Sequence, residues 1–395
     1  MKKKKQDEKV NPIIIIGDNH HNTLGVVRSF GVNGVKPFGI IISTSKKTEY
    51  VSKSKYWKKV IIVSDENEAL LMLKNKFENK EDRPVIIVTS DRMAELLDLH
   101  YDDLSSGFIL PSFNEEQGRI AALMNKRSQV EFAMGNNIPV IESIIVDLSS
   151  GTKEDSVQDL DYPVILKPVA SNDGLKTDIV ICNGKDDYRK AIDSIVIKGY
   201  SRVLVQPYLK GIEEFVLTGA IEPHSSLISF VIVKHIRQWP LKIGTGSFSE
   251  FVTSDLVNQF AYGIMQSLAN NGYSGPIDIE FFKDEKENFY LNEFNWRVSG
   301  RNFVALYTNV HSSFLWYLAV TGHDIDSYRL TYQGNGFSMN DATDIRHVFN
   351  GEMSFCEWLK DLKKTKSFSL WYKPDLRPSF ARYRQLIKKL FRKKR

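Results

Sequence analysis

The strongest constraint on this chain is a pair of predicted strands within Ser274–Arg301, joined by a polar turn. Residues 277–282 alternate around Asp278 and Glu280, and we interpret residues 289–294 as alternating around Asn292, which indicates the two-residue period of a β-strand. Residues 284–288 are all charged or polar and supply the turn. The segment therefore predicts an antiparallel hairpin with one face in a core and the other face available for chemistry.

Glu280 and Glu293 come close in space if the two strands are neighbours, and Asn295 points the same way as Glu293. Two carboxylates and an amide oxygen form a hard, oxygen-only site, which suits magnesium bound to a substrate phosphate. Arg297 would place a positive charge beside that metal. The alternative is a surface hairpin whose acids are solvated, and the hairpin alone does not exclude it.

Length and charge limit the classes of protein. The chain has 395 residues, enough for two or three domains, and its net charge of +5 is concentrated at the ends. Residues 382–395 hold eight Lys and Arg, and residues 1–9 have a surplus of three positive charges, which leaves the body at about −6. An acidic body argues against nucleic-acid binding. Two cysteines indicate no disulfide framework, and every apolar run is too short to cross a bilayer, so we expect a cytoplasmic protein.

Residues 11–124 alternate predicted strands and helices, starting from the buried run Ile13–Ile16. Such alternation predicts an α/β domain with a doubly wound parallel sheet. The first strand–helix junction, residues 17–25, lacks the glycine spacing of dinucleotide-binding proteins, but it would lie where open sheets bind ligands. His20 and His21 in this junction have no third zinc ligand at suitable spacing. Residues 17–25 could therefore be a helix-capping loop or a loop that contacts a substrate, and the sequence leaves both alternatives open.

Two lysines stand out in the middle of the chain. Lys126 lies in a helix predicted over 114–137, where a lysine is ordinarily solvated. Lys167 lies in an otherwise apolar strand, 162–169, and a buried ammonium needs an anionic partner. The turn that follows, 170–177, could bind phosphate through its backbone amides or could be an ordinary hairpin.

The next segments carry further candidate contacts. A strand runs from Val203 into a hinge at Pro207, whose missing amide frees backbone groups that could face an adenine ring. Glu213 and Glu214 begin another strand, where a carboxylate could accept hydrogen bonds from a ribose; solvated turn acids are the alternative. Residues 238–249 are predicted to be a polar loop that binds anions or is a plain hairpin loop.

The rest of the chain is predicted to be largely helical, with helices over 254–271, 304–320 and 353–363. Residues 379–395 place aromatic and aliphatic side chains at helical spacing, with Arg and Lys at the other positions. Such a helix can dock on its own domain or lie on an anionic membrane surface, and both alternatives stay open.

The order of these motifs resembles the ATP-grasp superfamily of carboxylate–amine ligases, over about residues 11–325. The most specific part is Asn-Glu-Phe-Asn-Trp-Arg-Val-Ser-Gly at 292–300, and the spacing of thirteen between the two glutamates fits. The run His-Ile-Arg-Gln-Trp-Pro-Leu-Lys-Ile-Gly-Thr-Gly at 235–246 suggests the carboligase group that includes D-aspartate ligase. The loop after Lys167 departs from the family, because it lacks the usual run of glycines.

The resemblance implies an N-terminal Rossmann-like domain over 11–124, a two-lobed ATP-grasp domain over 125–345 with a mobile lobe near 151–205, and a basic helical extension over 346–395. It also implies that two lysines, a covering loop, a hinge and a ribose-binding acid hold the nucleotide, namely Lys126, Lys167, Ser171, Asn172, Gly174, Lys176, Gln206, Pro207, Tyr208, Leu209 and Glu214. The implied metal ligands are Glu280, Glu293 and Asn295, with Arg297 facing the phosphate.

The same resemblance implies the chemistry. Relatives pass the γ-phosphoryl group of ATP to a carboxylate, and an amine then attacks the acyl phosphate. The expected cofactors are ATP and two magnesium ions, with manganese as a substitute; the expected partners are a small acid and a small amine, not nucleic acid. Arg237 and Lys242 are the candidates for binding the acid and the transferred phosphate. A homodimer, a non-catalytic ATP-binding regulator and an ATP-grasp phosphotransferase stay open.

Overall fold

The computed structural model describes residues 11–44, 49–141, 143–148, 160–168, 179–209, 211–241 and 244–393. These residues form three sheets: a four-stranded N-terminal sheet, a second four-stranded sheet and a large eight-stranded sheet. This architecture confirms the predicted α/β class, with a parallel-sheet domain followed by a two-lobed domain.

The N-terminal domain is built from β1 Ile13–Asp18, α1 His21–Val32, β2 Phe38–Ile42, β3 Lys59–Val63, α2 Glu66–Phe77, β4 Val85–Val88, α3 Asp91–Leu99 and α4 Tyr101–Ser105. Its sheet is fully parallel, in the order β3-β2-β1-β4. Ile13 and Ile15 of β1 belong to one core, and Ile14 and Ile16 belong to another. Burial on both faces is why this strand is continuously apolar.

The chain continues through β5 Ser112–Phe113, α5 Arg119–Ala122 and α6 Lys126–Gly135. A small lobe follows, with β6 Ile144–Asp147, β7 Val164–Pro168, β8 Val180–Cys182, α7 Lys185–Ile197 and β9 Arg202–Pro207. Its sheet is antiparallel, in the order β6-β9-β7-β8. Val146, Leu166, Val203 and Val205 on one face pack against α7. The alternate residues of these strands therefore form a second face, which is directed away from that core.

The large sheet is built from β10 Glu213–Glu222, β11 Leu227–Trp239, β12 Thr245–Phe251, β13 Tyr273–Lys283, β14 Phe289–Asn295, β15 Phe337–Met339 and β16 Thr365–Phe368. Its order is β14-β13-β10-β11-β12-β15-β16, with β5 on β13, and the β15–β16 pair is parallel. The helix α8 Asp255–Asn270 covers one face, where Ile279 and Phe281 are buried. Side-chain alternation then puts Glu214, Glu280 and Glu293 on the opposite face.

The C-terminal region contains α9 Ala305–Thr308, α10 Ser312–Val320, α11 Asp341–Asp344, α12 Arg346–Phe349, α13 Phe355–Lys364 and α14 Arg377–Lys393. The segment expected to be a helical extension is not purely helical, because it also gives β16 to the large sheet. A buried ion pair of 3.1 Å between Arg28 and Asp375 anchors this region on the N-terminal domain. Within the described ranges, no helix combines the length and the apolar character needed to cross a membrane.

Two predicted helices are interrupted and one predicted loop is mostly strand. The helix expected over 114–137 is broken before α6, where the Asn125 side chain accepts the backbone N–H of Arg127 and caps a new helix. The helix expected over 304–320 is broken at Asn309, which has a positive φ of 57°. The prediction of a loop over 238–249 is wrong in extent, because β11 continues to Trp239 and β12 begins at Thr245.

A buried histidine predicts sensitivity to acid. His311 is 5% exposed and shares a 2.8 Å hydrogen bond with Ser29, and burial lowers its pKa from 6.5 to about 4. Between these values the unfolded chain binds a proton that the folded chain does not, so the free energy of unfolding decreases as the pH falls through this window. Between about pH 7 and about pH 5, we expect the free energy of unfolding to decrease by about 2 kcal/mol more in the parent protein than in His311→Asn. Urea unfolding at the two pH values measures this difference.

His100→Asn is the matched control, because the side chain of His100 is 41% exposed. We expect this control to follow the parent at both pH values. Equal losses in the parent and in His311→Asn would show that His311 does not set the acid sensitivity.

Candidate functional site

A cleft of about 850 Å³ lies between the small lobe and the large sheet. The second face of the small-lobe sheet forms one wall, on which Lys167, Leu204 and Gln206 lie. Residues of α6 and β14 form the opposite wall, including Lys126 and Asn292. A cavity of this size with a few convergent polar groups is typical of a ligand site.

The hairpin of β13 and β14 places Glu280 directly opposite Glu293, which confirms the predicted pairing. Burial raises the pKa of Glu280, and the charge of Glu293 raises it further, whereas Arg297 opposes the shift. Two carboxylates in this arrangement repel each other unless a cation lies between them. The pair therefore favours a bound divalent ion.

Asn292 belongs to this site, although its side chain was not among the candidates from sequence. The register moves from Glu280 opposite Glu293 to Phe281 opposite Leu291, so Asn292 is the extra residue of a β-bulge. Its amide donates a 3.3 Å hydrogen bond to Oε2 of Glu280 and lines the cleft. The available signal was the pair of consecutive polar residues, 292 and 293, in a strand that otherwise alternates.

Arg297 joins the metal side of the site to the N-terminal domain. Its Nη2 donates to Oδ1 of Asn295 at 3.0 Å, and its Nε pairs with Asp91, the first residue of α3, at 3.1 Å. Its Nη1 is buried and has no hydrogen-bond partner among the described residues. Arg297 thus fixes the two domains together and keeps one donor for an anion.

The two lysines lie close together at the cleft. Burial lowers the pKa of Lys167 to about 8, and the charge of Lys126 lowers it further, whereas Glu214 and Glu293 raise it. Nζ of Lys167 donates to Gln206 at 2.9 Å. A cation that is both buried and next to another cation is suited to receiving a phosphate, which would relieve both penalties.

The two glutamates that open β10 have different surroundings. Hydrogen bonds from Lys283 and Lys234, at 2.9 Å and 3.0 Å, lower the pKa of Glu213. Glu214 lies on the cleft side, with His235 Nδ1 at 3.3 Å from its carboxylate, and also accepts a hydrogen bond from Gln238. The geometry favours Glu214 over Glu213 as the acceptor for a ligand hydroxyl, and the ribose role stays a prediction.

Arg237 is not placed as the sequence suggested. Its guanidinium pairs with Asp344 at 2.8 Å and with Asp361 at 3.0 Å, and it stacks on Phe248. A substrate would have to displace two carboxylates to reach it. The pairing therefore argues against Arg237 as the residue that binds the acid substrate.

The predicted covering loop lies outside the described residues, whereas the predicted hinge lies within them. The expected contacts that lie outside the described residues are Ser171, Asn172, Gly174, Lys176 and Lys242. In the hinge, β9 ends at Pro207, and the backbone N–H of Tyr208 donates to the carbonyl of Pro163 at 2.8 Å. Leu209 follows without regular structure, before the large sheet begins. Adenine contacts at Gln206–Leu209 stay a prediction.

The donor set fits a magnesium nucleotide better than a structural metal. In the part of the chain that the structure describes, no group of three or more His, Cys, Asp or Glu side chains could hold a metal. The predicted ligands Glu280, Glu293 and Asn295 would supply only part of an octahedral shell. The positions that remain suit phosphate oxygens and water, as is usual for magnesium.

Comparisons with known proteins extend these observations. The chain matches no family model. It is similar to the D-aspartate ligase of Enterococcus faecium (strain Aus0004), 23% identical over 320 residues that cover 75% of this chain and 73% of the ligase. It is similar in structure to N5-carboxyaminoimidazole synthetase from Staphylococcus aureus, 19% identical with a TM-score of 0.59, covering 89% of this chain and 88% of that chain.

A third similarity is to the biotin carboxylase domain of the Hydrogenobacter thermophilus 2-oxoglutarate carboxylase, a dimer in complex with magnesium ADP and bicarbonate. The identity is 17% and the TM-score 0.58, covering 82% of this chain and 73% of that chain. Together the two solved structures show a shared fold that runs through most of the chain.

Proposed function

We propose that this chain, which has the ATP-grasp fold, is an ATP-dependent ligase that joins a carboxylic acid to an amine. The observation that carries the proposal is the register that sets Glu280 against Glu293, with the charges of Lys126 and Lys167 close by. Two acids and two cations around one cleft suit the metal and the phosphates of a magnesium nucleotide.

The side chains act through charge and position. Lys126, Lys167 and Arg297 neutralise the phosphates and orient them, and the two glutamates with Asn295 hold the metal. Magnesium, when bound, disperses the charge on the β- and γ-phosphates. The γ-phosphoryl group passes to a carboxylate oxygen and ADP leaves. The amine nitrogen then bonds to the acyl carbon and loses a proton, and phosphate leaves. The small lobe covers the cleft and limits hydrolysis of the acyl phosphate.

The comparisons suggest further parts of the proposal. The similarity to D-aspartate ligase supports an amino acid as the acid substrate. The dimeric biotin carboxylase domain with magnesium ADP supports the nucleotide, the metal and a homodimer. The proposal also includes two bound magnesium ions, for which manganese can substitute. It further includes a cytoplasmic location for the protein.

The direct test is a screen of D- and L-amino acids and small carboxylic acids, each with MgATP and a panel of amines. We expect ADP and phosphate in equal amounts, dependent on the acid, together with an amide product detected by mass spectrometry. A stable phosphorylated product without an amide would favour a phosphotransferase. If the protein binds the nucleotide but no combination of acid and amine gives turnover, the result would favour a non-catalytic regulator.

We also propose that the C-terminal surface makes a weak contact with an anionic membrane. Residues 353–395 hold fourteen Lys and Arg and three acids. Two of these acids form ion pairs with arginines outside this segment, Asp361 with Arg237 and Asp375 with Arg28. An apolar groove of about 570 Å³ lies between α13 and α14. Its lining includes the exposed side chains of Phe349, Trp371 and Ile387, and the exposed Phe380 contacts Trp371. Apolar side chains among basic ones suit an anionic lipid surface.

The first turns of α14 dock on the protein itself, which supports the alternative of a docked helix for this half. Tyr383 donates a hydrogen bond to Asp341, and the guanidinium of Arg382 lies 5.3 Å from the ring centre of Tyr50. A membrane contact would therefore use the exposed side of α14 while the helix stays in place.

Charge reversal at Arg384 and Lys388, both exposed on α14, is expected to lower co-sedimentation with vesicles of phosphatidylglycerol and phosphatidylcholine at least about fivefold. Reversal of the exposed Lys185 and Lys190 on α7 is the matched control and should change little. Binding to phosphatidylcholine alone at the same level, or no binding to either vesicle, would contradict the membrane contact.

A further inference from the structure

Asp278 is a buried carboxylate next to the predicted metal ligands. It lies on β13 two residues before Glu280, so both side chains are on the same face of the strand. Asp278 is 1% exposed, and burial raises its pKa to about 6. Its charge adds to the burial that raises the pKa of Glu280. A buried acid beside a second acid is unfavourable unless hydrogen bonds stabilise its charge.

Asp278 accepts such hydrogen bonds from two parts of the chain. Oγ1 of Thr218, on β10, donates to its Oδ1 at 3.0 Å. The backbone N–H of Ser299 donates to the same oxygen at 3.2 Å, and the hydroxyl of Ser299 donates to Oδ2. These bonds oppose the effect of burial on the pKa of Asp278. Two of the three donors belong to Ser299, so the carboxylate is bonded chiefly to the chain that follows β14.

Ser299 ends a short segment that has Arg297 at its centre, residues 295–299, which we name the arginine loop. β14 ends at Asn295, which lies directly opposite Asp278 in the register of the hairpin. The chain then leaves the sheet and returns to Asp278 through Ser299. Both ends of the arginine loop are therefore fixed at one residue of β13.

The guanidinium of Arg297 lies close to the acids of the site. Burial raises the pKa of Asp278 and of Glu280, and the charge of Arg297 opposes both shifts. Nη2 of Arg297 donates to Oδ1 of Asn295 at 3.0 Å, whereas its Nη1 is buried without a hydrogen-bond partner among the described residues. Movement of the arginine loop would shift this unpaired donor relative to Glu280.

The arginine loop is also held by the N-terminal domain, through a different contact. The backbone N–H of Val298 donates to the carbonyl of Val88, the last residue of β4, at 3.1 Å. That contact fixes the loop to the N-terminal sheet. Asp278 instead fixes it to β13, the strand that carries Glu280. The position of Arg297 relative to Glu280 is therefore set through Asp278.

We infer that Asp278 is a positioning residue, which acts through Ser299 to fix the arginine loop and to hold the unpaired donor of Arg297 beside Glu280. The inference rests on the proposed ligase function and adds to it a residue that acts through another side chain. Placement matters at this level, because a displacement of about 1 Å can lower a rate about 100-fold.

The test removes one partner of Asp278 at a time and uses the acid and amine that the substrate screen identifies. Ser299→Ala deletes the hydroxyl that bonds the carboxylate to the arginine loop. We expect kcat to fall about 10- to 100-fold, with little change in KM for MgATP. Ser299→Thr keeps the hydroxyl and should restore most of kcat.

Thr218→Val is the matched control, because it deletes the hydroxyl on the other side of the same carboxylate. Each of the variants Ser299→Ala and Thr218→Val removes a side-chain donor to Asp278, so their melting temperatures should fall by similar amounts. In Thr218→Val, however, kcat should change by less than about twofold, because the arginine loop stays bonded. An equal loss of kcat in the two variants would contradict the positioning role.

A double-mutant cycle shows whether Ser299 acts through Arg297. In an Arg297→Met background, the further change Ser299→Ala should lower kcat by less than about twofold. Equal losses in the two backgrounds would show that Ser299 acts through the fold, and this result would overturn the inference. If Ser299→Ala does not fold, Ser299→Cys replaces it in both backgrounds, because a thiol is a weaker donor than a hydroxyl.

Failure of the ligase proposal can be distinguished from failure of this inference. A parent protein without acid-dependent ATP turnover would count against the ligase proposal alone. The positioning role is then measured from the rise in melting temperature with MgADP and with the non-hydrolysable ATP analogue MgAMP-PNP. The larger rise with MgAMP-PNP should be lost in Ser299→Ala and kept in Thr218→Val. Equal behaviour of the two variants, or of Ser299→Ala and the parent, would overturn the inference.

Discussion

Replacement of Glu293 by Gln is expected to lower acid-dependent ATP turnover by about 10³-fold or more, with little change in melting temperature. The substitution keeps the size of the side chain and removes a charge directly opposite Glu280. Turnover falls because the metal loses an anionic ligand at the point where phosphate charge develops. The fold is not expected to suffer, because the charge of Glu293 repels that of Glu280 and raises its pKa. ADP release at saturating MgATP measures the effect.

Glu287→Gln is the matched control, since Glu287 lies in the turn of the same hairpin and its side chain is 69% exposed. This variant should retain nearly full turnover. Full activity in Glu293→Gln would contradict the assignment of Glu293 as a metal ligand. A large fall in its melting temperature would show that the residue acts through the fold instead.

The hairpin could be predicted from sequence because its signal is local. Alternation along β13 fixes which of its side chains share a face, and a short polar turn fixes the pairing, although the bulge at Asn292 was not predicted. The observed register sets Glu280 opposite Glu293 as expected. The same reasoning works for β1, whose continuous isoleucines correspond to burial on both faces.

The ion pairs of the site could not be predicted, because they join residues far apart in sequence. Arg237 meets Asp344 and Asp361, which lie 107 and 124 positions further along the chain. A single sequence gives no sign of such a contact, so Arg237 looked free to bind substrate. Arg301 directly follows the motif at 292–300, but only the structure shows that its Nη1 is buried without a hydrogen-bond partner among the described residues.

The strands β11 and β12 were missed in part because one of their faces carries polar side chains. Polar residues such as His235, Gln238 and Ser249 lie there, so the hydrophobic pattern of a strand is weakened. Gly246, which suggested a loop, is a strand residue that leaves space for Arg301. Places where local rules fail are often functional, so this polar face is a candidate for ligand contact.

Replacement of Arg28 by Met is expected to lower the free energy of unfolding by about 3–5 kcal/mol. Arg28 is fully buried in α1, where its Nε pairs with Asp375 at 3.1 Å. Its other nitrogens donate to the carbonyls of Leu370 and Asp375 at 3.0 Å and 2.8 Å. The substitution keeps most of the apolar stem, but it leaves a buried carboxylate and two carbonyls without this partner. Urea unfolding of the full-length chain measures the loss.

Arg92→Met is the matched control, because Arg92 is exposed on α3 of the same domain, and it should change stability by less than about 0.5 kcal/mol. A double-mutant cycle with Asp375→Asn separates the ion pair from the other contacts of Arg28. If the charge left on Asp375 causes most of the loss, the double variant should be more stable than Arg28→Met alone. Additive losses would instead assign the effect of Arg28→Met to the lost carbonyl contacts. In that case the Asp375 carboxylate is stabilised without Arg28 by its hydrogen bonds from Ser54 and from the backbone N–H of Lys55.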